Sequence, residues 1–221
     1  MGEVLVTGAT GGIGGPLVEA LVKAGRRVVA AGRGPAGSTG GVRTVEMDLA
    51  RPGTLAAALG EVAELDALIH CAGISPIAAV ADAGPETWER TFAVNVASAA
   101  ELIRLTLPAL RRSRGHVILV NASPGMRAVP RWSAFVGSKA ALRELADSLR
   151  QEEAANGVRV TTVYPAGTAT ERLRKTRAGL GRPHEPEACI QPETLASMIT
   201  WVLAAPPDSY ACELAVLPTP R

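Results

Sequence analysis

The stretch "EVLVTGATGGIGGPLVEALVKAG", residues 3 to 25, decides the fold. It passes from a short apolar segment (3 to 7) through a turn with glycines at 8, 12 and 14 into an amphipathic segment over 12 to 24. That order predicts a strand, a tight turn and a helix. Glycines let the backbone turn sharply and approach a phosphate, whose charge would rest at the positive N-terminus of the following helix. Pro16 suits the first turn of that helix, where its missing N–H costs nothing. Gly8, Thr10, Gly12, Ile13 and Gly14 are candidate ligands of a phosphate, with a purely structural tight turn as the weaker alternative.

The alternation continues along the chain. Further strands are expected at 27 to 31, 42 to 46, 66 to 70, 116 to 121, 158 to 164 and 213 to 217, with helices near 54 to 63, 86 to 111, 133 to 155 and 193 to 204. Buried strands alternating with helices imply right-handed crossovers and a parallel sheet covered on both sides. The expected architecture is a single α/β domain over residues 1 to 221, a Rossmann-like doubly wound parallel sheet of about seven strands. In such a sheet ligands bind beyond the carboxyl ends of the strands, where strand order reverses. "GRGPAGSTGG" (32 to 41) is flexible by composition. The Arg-, Gly- and Pro-rich stretch 170 to 192 reads as a mobile substrate flap, with a solvated connection as the alternative.

Composition narrows the partners. The chain has 221 residues, 47% hydrophobic and 20% charged, with a formal net charge of +2, so no strong field calls for nucleic acid or an anionic membrane. No apolar run approaches the ~20 residues that span a bilayer, and no secretory leader is apparent. Cys71, Cys189 and Cys212 have no metal-ligand spacing and read as inert buried thiols of a reducing, cytoplasmic compartment.

The spacing T-G-x-x-x-G-x-G from Thr7 to Gly14, with "HCAG" (70 to 73), "NVAS" (95 to 98), "FVGSK" (135 to 139) and "PAGTAT" (165 to 170), resembles the short-chain dehydrogenase/reductase family over nearly the whole chain. The resemblance implies hydride transfer between a nicotinamide and a carbonyl or alcohol of a small molecule. It also implies a homodimer or homotetramer paired through the two long helices. At the end of the second strand Gly32 is followed by Arg33, where an acidic residue would select NAD. A guanidinium there suits a 2′-phosphate, so NADP(H) is the expected cofactor.

Asp48 and Leu49 match positions that hold the adenine ring, with a helix-capping aspartate as the competing reading of Asp48. Ala72 and Gly73 pass the adenosine ribose, while Cys71 stands where the family has asparagine and His70 reads as structural. Pro165 and Thr170 match residues at the nicotinamide amide and the pyrophosphate, Ala166 replaces a glycine, and Thr168 is a further candidate.

In the family a tyrosine supplies the proton and a serine holds the oxygen. A lysine four residues after the tyrosine lowers its pKa and grips the ribose, and an asparagine on the preceding helix orders a relay water. Lys139 and Asn95 match the last two. Phe135 occupies the tyrosine position and has no proton to give. Spacing from Gly115 and Gly125 puts Ala122 at the serine position and Ser123 one residue further on, with Asn121 as another donor. Trp132, Met126, Arg127 and the flap are expected to line the substrate pocket.

Three functions follow. One is a reductase impaired by an engineered Tyr-to-Phe exchange; another is a divergent member doing a different reduction or an isomerisation; the third is a catalytically silent NADP-binding protein. The double departure at Ala122 and Phe135 favours the second over the first, and retention of Lys139 and Asn95 weighs against the third.

Overall fold

In the computed structural model, which describes residues 2–34, 37–123, 126–206 and 208–220, the opening strand β1 (Glu3–Thr7) lies in the middle of the sheet. On one side it pairs with β2 (Arg27–Gly32), which pairs with β4 (Val42–Glu46); β4 carries the short β3 (Gly37–Thr39) at the edge. On the other side follow β5 (Leu65–His70), β6 (His116–Val120), β7 (Arg159–Pro165) and β8 (Glu213–Val216). The order β3-β4-β2-β1-β5-β6-β7-β8 reverses direction between β1 and β5, opening a crevice at their carboxyl ends.

The sheet bears out the expected doubly wound parallel architecture of about seven strands and adds one short antiparallel edge strand. It has eight, and β3 runs antiparallel to β4, Gly37 opposite Thr44 and Thr39 opposite Val42. The turn between them uses Gly40 and Gly41, at φ 56° and 83°, values costly for other residues. Gly, Ser and Thr give an edge strand no apolar alternation, so the segment read as a loop.

Helices cover both faces. On one face, α1 (Gly14–Lys23) and α7 (Pro192–Leu203) bury Leu17, Leu21, Leu195, Ile199 and Val202 against Val4, Val6, Val28, Ile69 and Ile118. On the other, α2 (Leu55–Leu59), α4 (Ser98–Ser113) and α5 (Ser133–Glu153) bury Leu55, Leu102, Leu110, Leu142 and Leu149 against Leu5, Val29, Leu68 and Leu119. Each such leucine contributes ~1.5–3 kcal/mol by leaving water. Arg111 donates from Nε and Nη2 to both oxygens of the buried Glu153 carboxylate, at 2.9 and 2.6 Å, pinning α4 to α5.

Three helical expectations need correction. The helix expected at 54 to 63 ends at Leu59, because Gly60 (φ 67°) reverses the chain, and a 3₁₀ turn, Pro52–Thr54, precedes it. The helix expected at 86 to 111 begins as α3 (Pro85–Phe92), widens into a π turn over Ala93–Ala97, and continues as α4. Stretch 170 to 192 holds α6 (Glu171–Gly179) and a 3₁₀ turn, Pro186–Ala188. Although the helical run Pro85–Ser113 is long and apolar enough to cross a membrane by length and composition alone, half of its most apolar window is buried inside this fold, as in a core helix. Of the cysteines, Cys71 and Cys189 are buried as expected, whereas Cys212 is exposed because it precedes the outermost strand.

Candidate functional site

The loop after β1 is held by backbone contact. Gly8 sits at φ 65°, donates its N–H to the Ala31 carbonyl at 3.1 Å, and would carry a Cβ only 2.9 Å from Cα of Ala72. A Cβ on Gly14 would overlap the Gly8 carbonyl oxygen, and one on Gly12 would lie 2.7 Å from the Thr170 methyl. Only glycine permits this winding, which sets the N-terminus of α1 at the crevice, where the first helical N–H groups have no intrahelical partner.

The crevice continues along the ends of β1, β2, β4 and β5. Gly8, Thr10, Arg33, Asp48, Leu49, Ala72 and Gly73, all named from sequence, line one cavity, and Gly12, Ile13, Gly14 and Thr170 line a smaller recess beside it. Arg33 is exposed and has neither a hydrogen bond nor an ion pair among the described residues. Asp48 accepts from the Ala50 N–H at 3.0 Å, so the aspartate shapes its own turn and also borders the cavity. This chemistry fits a dinucleotide: a glycine-lined helix N-terminus at one place and an unpaired guanidinium at another.

At the end of β5 lie His70 and Cys71 of "HCAG". His70 is fully buried; the Thr7 hydroxyl, which accepts the Ala72 N–H at 3.3 Å, lies 3.0 Å from its Nδ1. Burial and then the Lys139 charge hold its pKa down at about 3, so the ring is neutral and structural. Burial likewise pushes Cys71 up to about 12, away from thiolate chemistry.

The π turn serves a network. Asn95 is completely buried; its Oδ1 accepts from the Ile74 N–H at 2.8 Å, and its Nδ2 lies 2.9 Å from both the Ile74 carbonyl and the Ser138 hydroxyl. Ser138 donates to the Phe135 carbonyl at 2.7 Å. Widening the helix by one residue aims Asn95 at the segment after β5, a frequent use of π bulges at functional positions. The asparagine side chain is thus committed to the backbone of the cleft floor.

A second groove holds the expected reaction centre. Ser123, Phe135, Pro165, Thr168, Thr170, Met126 and Trp132 line it together with Asn121 and Ala122. The Phe135 ring is 8% exposed and stacks on Trp132, centroids 4.6 Å apart and planes at 18°. Trp132 Nε1 donates to the Ser75 hydroxyl at 2.7 Å. Thr168 donates to the Ala166 carbonyl at 3.2 Å, while Thr170 Oγ1 caps α6 by accepting from the Leu173 N–H at 3.2 Å. Pro124 and Gly125, the latter used to align Ala122, lie outside the described residues.

Lys139 lies beside Phe135 and near enough to Arg172 and Cys71 to feel their charges. Its Nζ donates to the Val120 carbonyl at 2.9 Å, 5.9 Å from the Phe135 ring centroid, and it lines a third cavity with Arg127, Arg143 and Tyr164. That cavity shares Asn121, Ala122, Ser123 and Met126 with the groove, so these four residues border both. Arg127 borders the third cavity rather than the groove. Burial, and then the Arg172 charge, lower the Lys139 pKa to about 7. Asn121 steadies this stretch by donating from Nδ2 to the Lys139 carbonyl at 3.1 Å and accepting from the Ala122 N–H at 2.9 Å.

Two residues near the crevice escaped the sequence reading. Arg90 on α3 borders the cavity of Arg33, and Arg172 in the first turn of α6 borders that cavity, the glycine recess and the groove alike. The signal for Arg172 was its place two residues beyond Thr170, hidden because the stretch was taken as irregular.

A sequence model of the short chain dehydrogenase family matches residues 3–181. The chain is 38% identical over 178 residues to the 2,3-dihydro-2,3-dihydroxybenzoate dehydrogenase of Escherichia coli K12, covering 78% of this chain and 71% of that protein. Its fold matches a short chain dehydrogenase from Burkholderia cenocepacia J2315 in complex with NADP at TM-score 0.82 and 26% identity, covering 97% and 87% of the two chains. A metagenomic short-chain oxidoreductase in complex with NADP matches at TM-score 0.80 and 24% identity, covering 99% of this chain and 98% of that one.

Proposed function

The chain belongs to the short-chain dehydrogenase family, and from that premise we propose that it is an NADP(H)-dependent oxidoreductase acting on a small carbonyl or alcohol, slowed in this form by Phe135. The observation that carries the reading is the continuity of the site: the glycine-lined helix N-terminus and the unpaired Arg33 open onto the groove of Phe135 and Ser123. Two relatives in fold are NADP complexes, which supports the same cofactor here. When bound, NADP(H) supplies the hydride-transferring nicotinamide.

Each residue of the chain then has a defined task. Gly8, Thr10, Gly12, Ile13, Gly14 and Thr170 would hold the phosphates, Arg33 the 2′-phosphate, Asp48 and Leu49 the adenine, and Ala72 and Gly73 the ribose side. Pro165 and Thr168 would meet the nicotinamide end. Asn95 would act by holding the cleft floor rather than by touching the reactants. The Trp132 and Phe135 rings exclude water from one wall of the groove, whose cavity of about 170 Å³ suits a substrate of modest size.

A carbonyl oxygen gains negative charge as it is reduced and needs donors and a proton. Ser123 and Asn121 are the oxygen-stabilising candidates, and Phe135 offers neither function. Lys139 spends one donor on the Val120 carbonyl and keeps further N–H donors with which it would grip the ribose. Loss of general acid catalysis typically removes ~10²- to 10⁴-fold in rate.

The test is NADPH oxidation over a panel of ketones and aldehydes by the unaltered protein and by Phe135→Tyr. Recovery of ~10²-fold or more in the tyrosine variant is expected. If the variant gains nothing while the unaltered protein turns over a substrate, the divergent-chemistry reading replaces this one, as the displaced Ser123 would favour. NADPH binding with no turnover in either form would leave a silent binding protein.

A further inference from the structure

Arg172 borders the cavity, the glycine recess and the groove alike, and among the described residues it is a cation without an anion. Its place in the chain is set by its neighbours: Thr170 caps α6, with its methyl where a Cβ on Gly12 would stand, while Thr176, one turn along, lies 3.4 Å from the Ser75 hydroxyl. One guanidinium nitrogen of Arg172 lies 3.6 Å from where a Cβ on Gly73 would stand, so the side chain reaches from the flap helix across to the strand-β5 side. The nearest carboxylate in sequence, Glu171, is already occupied, both its oxygens accepting from Arg174 at 2.6 Å with Lys175 at 3.8 Å. Arg172 itself has no hydrogen bond or ion pair among the described residues. The side chain is exposed to the open crevice, the protein atoms around its guanidinium disfavour its charged form and lower its pKa, and its charge in turn depresses that of Lys139.

A guanidinium left bare between two walls, one of them a helix N-terminus, matches the geometry of a bridging anion with several acceptor oxygens. A dinucleotide carries such an anion in its middle and a second phosphate at its adenosine end, where Arg33 stands. Resting on the dinucleotide reading above, we propose that Arg172 grips the diphosphate of the cofactor from the flap side, opposite the glycine loop, and thereby ties α6 to the bound nucleotide. The bidentate fork of arginine makes it a phosphate ligand, and its place on α6 couples cofactor binding to the position of the groove's outer wall.

The experiment compares the unaltered protein with Arg172→Met, Arg172→Lys and Arg33→Met by calorimetric titration. The probes are NADPH, NADH and adenosine 2′-monophosphate, which has the 2′-phosphate and no diphosphate. Hydrogen exchange over residues 171 to 179 is followed at saturating NADPH. Arg172→Met is expected to weaken NADPH and NADH alike by about 10- to 100-fold, as loss of charged hydrogen bonds does. It leaves adenosine 2′-monophosphate unchanged and abolishes cofactor-induced protection of α6; Arg172→Lys falls between. Arg33→Met weakens NADPH and adenosine 2′-monophosphate and spares NADH. Unchanged NADPH affinity in Arg172→Met overturns the proposal. Failure of the unaltered protein to bind NADPH or NADH sinks the dinucleotide reading itself.

Discussion

The glycine-loop end and the Phe135 end of one crevice are made of different material. At the first, the working surface is backbone: Gly8 and Gly14 are fixed by contacts with Ala72 and with each other that no side chain could share. At the second, the surface is side chains, and there the Phe135 ring stacks on Trp132 at the position proposed above for the family's phenol. Backbone machinery is lost only by breaking the fold, whereas a side-chain function disappears with one oxygen atom. The difference teaches why binding and chemistry are separable in this chain, and it can be broken at either end.

The largest effect belongs to the backbone end. Gly14→Leu forces the Gly8 carbonyl away from α1 and should abolish NADPH binding and lower the thermal midpoint together, read by titration and calorimetry. Turnover gained in Phe135→Tyr with unchanged NADPH affinity would sharpen the contrast from the other end. A variant that changed both equally would erase it.

A smaller effect is expected at Lys139. Its folded pKa is about 7 and its ordinary value 10.5, so between these the unfolded chain binds more protons and stability rises with pH. Below about 7 the buried ammonium is a full burden. Lys139→Met should therefore raise the thermal midpoint most at pH 6, and the gain should shrink toward pH 9 as the native amine deprotonates. A gain independent of pH would mean that the lysine is charged throughout.

The legibility of the sequence follows the same division. The glycine spacing could be read because each position meets a demand of the chain itself, and the strands could be read because burial on both faces leaves continuous apolar runs such as "HVILV" in β6. Three features escaped for physical reasons. β3 is polar and short, the π turn at Asn95 shifts a helix by one residue without altering its composition, and α6 ("ERLRKTRAG") buries only Thr176 and so shows no apolar face. At the site, it was legible that Arg33, Phe135 and Ser123 border the crevice, but not which partner each polar group would take. Asn95 spends its amide on Ile74 and Ser138, and Lys139 gives its ammonium to Val120. Such choices depend on distances set by distant segments. The same holds for the exposure of Cys212 beside β8.

The central claim is that the nucleotide end of the crevice is intact and selects NADP(H) through Arg33 although the phenol is missing. Calorimetric titration of the unaltered protein with NADPH and NADH tests it most directly. The account predicts saturable binding of NADPH at least ~10-fold tighter than NADH, as expected for one charge-assisted phosphate contact. Equal affinities, or no binding of either, would contradict it.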